Sequence, residues 1–340
     1  GISISGLFTT ANIENCIFSD CYVDGIAAVI SISNRECFFN NNIVNFSSSD
    51  RYQSMGGMTI TSQGNIIVTN KYGPWEKLIR IRKIKYGGIE IIDDYYNFPD
   101  GLVVFNYNVI EEAANSQNGV FFISKKYDFN IDSNIIKNCR IADFSNTIYL
   151  YNHSFTLTNL TLSGCSSVCN TGGGFGLWIV FQTNNEGVKK GMFTMQDCLF
   201  ENNTSNVSDT KEDCGNGGAF SLGLIPGAQT ELIINNCSFI GNYAERNGGA
   251  LSFKLSLPVT IHNCSFINNF ALYAGGAIYI DPINSTEFQS NPKVTISQSI
   301  FIRNKESNLL YADGHAIAFA LEPIDNTKLI IYDYQFIDNC

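Results

Sequence analysis

Acidic and basic side chains that could cleave a polysaccharide occur in two distant parts of this 340-residue chain. Asp93-Asp94 is an acidic pair, Arg80-Ile81-Arg82 supplies two basic groups, and Gly314-His315-Ala316 places a histidine between small residues. The β-helical enzymes that cleave polysaccharides need clustered carboxylates with basic residues on one strand face. Asp93 and His315 are separated by most of the chain, so we expect no catalytic site and no enzyme. A polysaccharide lyase or hydrolase stays open as the alternative.

The eleven cysteines are the other reactive groups of the sequence. Most of them share an inward position among apolar residues, where we expect stacked free thiols that behave as small hydrophobic side chains. These are Cys16, Cys37, Cys139, Cys165, Cys198, Cys237 and Cys264. Cys169 and Cys214 each lie three residues before a Gly-Gly pair, and we predict a disulfide between them. For Cys340, the last residue, a bridge to another subunit and a place in a longer array are both open.

Nine Asn-x-Ser/Thr sequons are potential attachment sites for N-linked glycans. We predict glycans on Asn45, Asn206 and Asn284 in polar loops, on Asn152 and Asn159 beside a strand, and on Asn236 and Asn263 at a recurring bend. At the last two positions, the alternative is an internal ladder of hydrogen-bonded amides. Asn203 is a turn residue of the repeat described next, and we expect no glycan there.

A repeat must position all of these groups. Asn236–Ile240 and Asn263–Ile267 both read Asn-Cys-Ser-Phe-Ile, and each runs on to Gly-Gly-Ala, at Gly248–Ala250 and Gly275–Ala277. Two such units 27 residues apart indicate an array built unit by unit. Weaker copies occur on both sides, and the variable spacing between copies indicates loops inserted into a constant unit.

The repeat unit predicts strands joined by a one-residue bend. Val259-Thr260-Ile261 alternates apolar and polar residues, the alternation slips at Asn263, and Cys264 and Phe266 resume the inward face. A slip of one residue needs a left-handed backbone, which Asn, Asp and Gly tolerate best. The equivalent positions are Asn15, Glu36, Asn138, Gly164, Asp197, Asn236, Asn263, Gln298 and Asp333. Strand, bend, strand, turn and a third strand after Gly-Gly predict an all-β fold, a parallel β-helix with loop insertions.

The combination of F-x-x-N and G-G-A resembles the repeats of chlamydial polymorphic membrane proteins and of similar protist surface proteins. The matching pairs are Phe39/Asn42, Phe200/Asn203, Phe239/Asn242, Phe266/Asn269, Phe301/Asn304 and Phe336/Asn339. The resemblance is specific over roughly 190–340, weaker over 1–60 and 130–185, and absent over 65–130. It implies a right-handed, single-stranded, pectin-lyase-like β-helix at the cell surface, and it transfers no catalytic residue.

We predict one β-helix domain over 1–340 with an insertion at 65–130. Lys77–Lys85 alternates apolar and basic residues, and Ile89–Tyr96 turns from apolar to acidic. Two strands around Tyr86-Gly87-Gly88 would form a hairpin held by cross-strand ion pairs. The chain begins without Met, and we interpret it as a mature or excised piece of something longer.

Composition narrows the function classes. A net charge of −10 argues against nucleic acid or an anionic membrane as partner, and no apolar run is long enough for a transmembrane helix. The spacing of Cys, His and acidic residues fits no zinc, calcium or phosphate-binding motif, so we expect no metal and no cofactor. Frequent Asn, Ile and Tyr are typical of an AT-rich genome such as a protist's.

These patterns favour an extracellular structural protein, a β-helix rod of a coat, adhesin or glycosylated filament. Neither end of the predicted coil shows a capping helix, so we expect contact end to end with other copies or with neighbouring segments of a longer chain. A glycan- or receptor-binding module is the other alternative. It would use exposed aromatic residues, for which the candidates are Tyr22, Tyr243, Tyr273 and Tyr279.

Overall fold

In the computed structural model, the residues that the structure describes form forty β-strands and no helix. They are the residues of those strands and the connecting residues within 127–138, 154–168, 192–207, 215–224, 231–255, 258–282, 293–307, 316–320 and 328–339. Before residue 131 only the strand backbone is described, apart from Ile13.

The first fourteen strands come from the part of the chain with the weaker repeat. They are β1 (Ile2–Glu14), β2 (Ile17–Ser19), β3 (Tyr22–Val23), β4 (Ile30–Asn40), β5 (Asn42–Asn45), β6 (Ser48–Ser49), β7 (Met58–Ser62), β8 (Ile66–Val68), β9 (Ile79–Arg82), β10 (Ile89–Asp93), β11 (Gly101–Asn106), β12 (Val109–Glu111), β13 (Ala114–Asn115) and β14 (Phe121–Ile123).

The remaining strands repeat more regularly. The first of them are β15 (Tyr127–Asp132), β16 (Ile135–Lys137), β17 (Arg140–Ala142), β18 (Asn146–Leu150), β19 (Ser154–Thr158), β20 (Thr161–Ser163), β21 (Ser166–Val168), β22 (Phe175–Phe181), β23 (Met192–Gln196), β24 (Leu199–Glu201), β25 (Thr204–Asn206) and β26 (Phe220–Leu224). They are followed by β27 (Glu231–Asn235), β28 (Ser238–Ile240), β29 (Tyr243–Ala244), β30 (Leu251–Leu255), β31 (Val259–His262), β32 (Ser265–Ile267), β33 (Phe270–Ala271), β34 (Ile278–Pro282), β35 (Lys293–Ser297), β36 (Ile300–Ile302), β37 (Lys305–Glu306), β38 (Ile317–Phe319), β39 (Lys328–Tyr332) and β40 (Gln335–Ile337).

These strands stack into four long parallel sheets. Sheet I has the order β14-β10-β7-β4-β8-β11-β15-β19-β23-β27-β31-β35-β39, with β1 beside β4. Sheet II is β2-β5-β9-β12-β16-β20-β24-β28-β32-β36-β40, sheet III is β13-β17-β21-β25-β29-β33-β37, and sheet IV is β18-β22-β26-β30-β34-β38. A small sheet pairs β3 with β6. The all-β prediction of a parallel β-helix is therefore confirmed.

From β15 onward, each turn of the coil, here called a rung, contributes strands to sheets I, II, III and IV in that order, and the described strands of the last rung lie in sheets I and II. Rung 1 holds β15–β18, rung 2 β19–β22, rung 3 β23–β26, rung 4 β27–β30, rung 5 β31–β34, rung 6 β35–β38, and rung 7 β39 and β40. Each strand pairs in parallel with its counterpart in the next rung, as Phe239 does with Phe266 and Phe266 with Phe301.

Each rung turns at two left-handed bends, where the sequence pattern predicted one. The first bend joins sheets I and II with φ of 49° to 55°, at Ser133, Asn159, Asp197, Asn236, Asn263, Gln298 and Asp333. The second follows sheet II with φ of 49° to 64°, at Asn138, Gly164, Asn202, Gly241, Asn268, Arg303 and Asp338. The assignment of Asn138 and Gly164 to the first bend was therefore wrong, since hydrogen bonds place them with Asn202. Two bends with similar residue preferences cannot be told apart without the register between rungs.

The asparagines of F-x-x-N point inward and form a continuous ladder. They follow the second bend and include Asn203, Asn242, Asn269 and Asn304, all buried. The Asn242 amide donates from Nδ2 to the Phe200 carbonyl at 3.0 Å and to Asn269 Oδ1 at 2.9 Å. Its own Oδ1 accepts from the backbone and side-chain nitrogens of Asn203 at 3.1 and 3.0 Å. Every polar atom of the buried amide is thus satisfied, as burial demands.

The phenylalanines of F-x-x-N stack beside that ladder. Phe200, Phe239, Phe266, Phe301 and Phe336 follow one another with ring centroids 4.7 to 5.0 Å apart. In rungs 1 and 2, the same column holds Ile136 and Leu162. The repeat pairs named from the sequence in this region, from Phe200/Asn203 to Phe301/Asn304, are therefore confirmed as the core of the coil.

The two glycines of Gly-Gly-Ala are needed for different reasons. The first has a positive φ, 69° at Gly248 and 65° at Gly275, which side-chain-bearing residues rarely adopt. The second has an ordinary φ, but a Cβ on Gly249 would overlap the Gly276 carbonyl oxygen and lie 2.6 Å from the Phe270 nitrogen. The rungs approach too closely there for any side chain.

The hairpin predicted within 65–130 is wrong. Its two arms correspond to β9 and β10, which lie in different sheets and do not pair with each other. β9 pairs in parallel with β5 and β12, and β10 with β7 and β14. The alternating basic residues of Lys77–Lys85 are compatible with a coil strand because one strand face points outward.

Replacing Asn242 by alanine should lower the free energy of unfolding by about 3 kcal/mol, because buried backbone groups of two neighbouring rungs lose their partners. Asn235→Ala is the matched control, since Asn235 lies on the outward face of the same rung. We expect that control to change stability by less than about 0.5 kcal/mol. Urea unfolding of the three proteins makes the comparison, and equal losses would contradict the role of the ladder.

Gly249→Ala should cost at least about 3 kcal/mol or prevent folding, because the overlapping atoms are backbone. Gly241→Asn is the control: Asn already occupies this second-bend position at Asn202 and Asn268. Because a Cβ at Gly241 meets only the Asn202 side chain, we expect a change of under about 1 kcal/mol. Thermal unfolding compares the two variants. A Gly249→Ala protein as stable as the unsubstituted chain would refute the inference that the rungs are too close there for a side chain.

Candidate functional site

The first bend presents sequon asparagines to solvent. Asn159, Asn236 and Asn263 are all exposed there, while the middle residue of each sequon is buried and the Ser or Thr points outward. The rung geometry itself favours this order, because the bend prefers Asn and the next two residues alternate in and out. Repeated sequons are therefore partly a consequence of the fold, and their glycosylation stays a prediction.

These asparagines form a ladder on the outside of the coil. Asn263 donates from Nδ2 to Asn236 Oδ1 at 3.0 Å, and Asn236 Nδ2 donates to Asp197 Oδ1. In rungs 1 and 2, Asn159 Nδ2 donates to Asp132 Oδ1 at 2.8 Å. An amide nitrogen has two hydrogens, so each of these contacts leaves one that an N-glycosidic bond could replace.

The other sequons lie in different environments. Asn202 is exposed at the second bend, and Asn203 is fully buried in the inner ladder. Asn206 ends β25 rather than lying in a loop, and its Nδ2 donates to the Ser167 carbonyl at 3.2 Å. Asn45 ends β5 and pairs with Arg82. Asn152 and Asn284 lie outside the described residues.

Three thiols form a buried column just inside the first bend. Cys198, Cys237 and Cys264 are free and occupy consecutive rungs, and Ser299 takes the same position in rung 6. The Cys237 thiol donates to the Asn235 carbonyl at 3.1 Å and that of Cys264 to the His262 carbonyl at 3.2 Å.

The sequence pattern predicted that Cys165 shares this position, and that prediction was wrong. Its backbone nitrogen donates to Asn203 Oδ1 at 3.0 Å, so it occupies the column of the inner asparagines. Its side chain is buried. The predicted partners Cys169 and Cys214, as well as Cys340, lie outside the described residues, and so do the side chains of Cys16, Cys37 and Cys139.

The surroundings of the thiol column disfavour the thiolate. The hydrogen bond with Cys237 and burial raise the pKa of the Cys198 thiol. For Cys237, the hydrogen bond with Cys198 lowers the pKa, but the hydrogen bond with Cys264 and burial raise it overall. Nucleophilic chemistry needs a thiolate, so the raised pKa disfavours reaction of Cys198 and Cys237 in the folded state.

The candidate charged groups are distributed over separate strands. Asp93 ends β10 in sheet I, while Arg80 and Arg82 lie on β9 in sheet II. His315 lies outside the described residues. Among the residues that the structure describes, no group of three or more His, Cys, Asp or Glu side chains could hold a metal ion. The same part of the chain contains no helix long and apolar enough to cross a membrane.

The aromatic candidates include one exposed ring. Tyr243 and Phe270 stack across rungs 4 and 5 with centroids 5.8 Å apart, so each covers one face of the other. Burial and the nearby Glu245 carboxylate raise the pKa of Tyr243. Tyr273 is 53% exposed, whereas Tyr279 is half-buried in β34. Tyr22 lies in β3, where only the backbone is described.

The sequence analysis missed an apolar stripe on the outer face of sheet II. Isoleucine follows the core phenylalanine in rungs 4 to 7, at Ile240, Ile267, Ile302 and Ile337, and these residues stack in one outward column. The repeated Phe-Ile pair was the available signal. Because adjacent strand residues point to opposite faces, a buried Phe requires an outward Ile.

The rungs, their bends and their outer faces define a repeat protein of the parallel β-helix class. Residues 236–254 and 263–281 match the Chlamydia polymorphic membrane protein (Chlamydia_PMP) repeat. Each match runs from the first-bend asparagine through Gly-Gly-Ala into sheet IV, which confirms the resemblance over these two rungs. No curated protein and no solved structure matched the chain.

The buried thiols should resist alkylation while the chain is folded. We expect Cys198, Cys237 and Cys264 to remain unmodified by iodoacetamide at pH 8 and to react fully in denaturant. The folded pKa values of Cys198 and Cys237 are raised. The contribution of these two thiols to the free energy of unfolding is therefore fully present below the unfolded thiol pKa of about 8.5 and decreases at higher pH. Peptide mass spectrometry measures the alkylation, and urea unfolding between pH 7 and 10 measures the stability. Rapid alkylation of the folded chain would contradict the burial of these thiols.

Proposed function

We propose that this chain is a structural rod of the cell exterior, part of a coat, an adhesin or a glycosylated filament. Three features support the proposal: the uninterrupted stacking of rungs, the match to a polymorphic membrane protein repeat, and the sequon asparagines exposed along one bend. The mechanical strength would come from the hydrogen bonds and side-chain ladders along the axis. The bends and outer faces would make the contacts.

The observation that carries the proposal is the register of the rungs, which places each inward side chain on its counterpart in the next rung. Phe336 continues the phenylalanine column but is 43% exposed, whereas Phe301 in rung 6 is 0% exposed. Leu329 also continues an inward column, of sheet I, and is exposed. The strand edges of such a coil pair readily with another strand.

We propose that the rod makes axial contact with other copies of this chain or with neighbouring segments of a longer chain, because the strand edges of a parallel coil can pair with a further rung. The inner ladder supports such a continuation, since Asn339 Oδ1 accepts from the Asn304 backbone and side chain at 2.9 and 3.0 Å. An identical amide in the further rung would extend the same ladder. The proposal contains no catalytic step.

Electron microscopy of the natively purified protein tests the assembly. Axial rods longer than one chain, or rods joined end to end, are expected, and Phe336→Glu should shorten them because a carboxylate cannot enter the column. Tyr332→Glu is the control, since Tyr332 lies on the outward face of the same rung. Equal lengths for all three proteins would argue against axial contact at rung 7.

Glycopeptide mass spectrometry on the same sample tests the exterior location. Glycans are expected on the exposed first-bend residues Asn159, Asn236 or Asn263, and no glycan on Asn203. Unmodified sequons throughout would contradict the proposed location outside the cell. Cleavage of acidic polysaccharides by the purified chain would instead favour the lyase or hydrolase alternative.

A further inference from the structure

The outer face of sheet II in rungs 3 to 6 has a self-complementary pattern. Two outward columns run along it. One starts with Leu199 in β24 and continues through Ser238 and Ser265 to Ile300 in β36. The other starts with Glu201 and continues through Ile240 and Ile267 to Ile302.

The apolar character of this face is specific to sheet II. On the outer face of sheet I, the column through Thr194, Ile233, Thr260 and Thr295 is mainly polar in the same four rungs. On sheet II, Ile300 is 36% exposed and Ile240, Ile267 and Ile302 are half-buried between their neighbours. Isoleucine on a solvated sheet face has no role in the core of its own rung.

We propose that this face binds the same face of a second copy of the chain, with the two rods side by side and antiparallel. The two-fold axis runs along the strand direction between rungs 4 and 5. Such an axis reverses the order of the rungs and keeps the position along the strand, so each outward column faces itself. Rung 3 then lies opposite rung 6 of the partner, and rung 4 opposite rung 5.

This register places leucine or isoleucine opposite isoleucine and serine opposite serine, while Glu201 lies opposite Ile302 of the second copy. Ile240 faces the Ile267 position of the second copy, and Leu199 faces its Ile300 position. The two serine positions face each other across the axis. Glu201 comes beside Arg303, which is exposed at the second bend next to Ile302. This ion pair forms twice, because the contact is isologous.

Other registers lose that complementarity. If the axis moves to rung 5, Glu201 comes beside Asp338, an acid beside an acid, and Ser238 faces Ile300. If it moves between rungs 5 and 6, Ser265 faces Ile300 and Glu201 has no facing residue in rungs 3 to 7. Of these three registers, the one with the axis between rungs 4 and 5 brings opposite charges together, and like charges that meet across an interface are strongly disfavoured.

The contact is small. Four rungs at about 4.8 Å and three residues at about 3.3 Å cover roughly 200 Å² of flat face. A standard stable interface takes about 800 Å² from each partner, so a single pair of chains would associate weakly and reversibly. Rods held close together on a surface would strengthen it through a high effective concentration.

The test is the oligomeric state of the 340-residue chain by sedimentation equilibrium, with small-angle scattering for the cross-section. We expect a reversible dimer with a dissociation constant on the order of 100 µM and a thicker, not longer, particle. Ile267→Lys should weaken it by roughly tenfold or more, because two charges would be buried opposite isoleucine. Ile233→Lys, the same change on the outer face of sheet I, should leave it unchanged.

The charge pattern gives a second, independent test. Glu201→Arg and Arg303→Glu should each weaken the dimer, since like charges then meet, and the double variant should restore it. A chain that stays monomeric up to about 1 mM, equal effects of Ile267→Lys and Ile233→Lys, or a double variant no better than the singles would each overturn the proposal. Phe336→Glu, which tests axial assembly, should not change this dimer, so the two proposals fail separately.

Discussion

The parallel alignment of each rung with the next is the constraint on which the rest of the structure depends. Strands that pair in register bring identical side chains within about 4.8 Å of one another, so every position of the rung becomes a column. The stacked rings of Phe200, Phe239 and Phe266 and the amides of Asn203, Asn242 and Asn269 are direct results. A column therefore holds residues whose side chains can pack or hydrogen-bond with the equivalent side chains of the rungs above and below.

That constraint explains why the chain uses so few residue types at fixed places. An inward amide is satisfied because its neighbour is also an amide, and each donates to the next. Where the column holds Cys165 instead of Asn, the thiol donates to the Ile136 carbonyl at 3.8 Å, a longer contact than the amide hydrogen bonds of the ladder. At the Gly-Gly step, the rungs come so close that a single methyl group would meet the carbonyl of the next rung. Core and turn are thus specified by the same axial contact.

The outer surface obeys the same rule with different consequences. Exposed asparagines, half-buried isoleucines and an aromatic pair each form a column because the rungs beneath them are aligned. A surface built in this way offers long stripes of one chemical character rather than a pocket. Such stripes suit contact with another extended surface, which supports the proposal of a structural role.

The sequence by itself determined the repeat, the parallel β-helix and the inward Phe and Asn of rungs 3 to 6, because their motifs recur with only short insertions. It could not separate the two bends, and it placed Asn138, Gly164 and Cys165 in the wrong columns. It also interpreted β9 and β10 as a hairpin, since alternation shows that a strand exists but not which strand it pairs with. The column of each residue and the partner of each strand depend on hydrogen bonds between residues 26 to 42 positions apart, such as Thr158 to Asp132 and Asn242 to Phe200. Only the tertiary structure, which aligns rungs of unequal length, fixes that register.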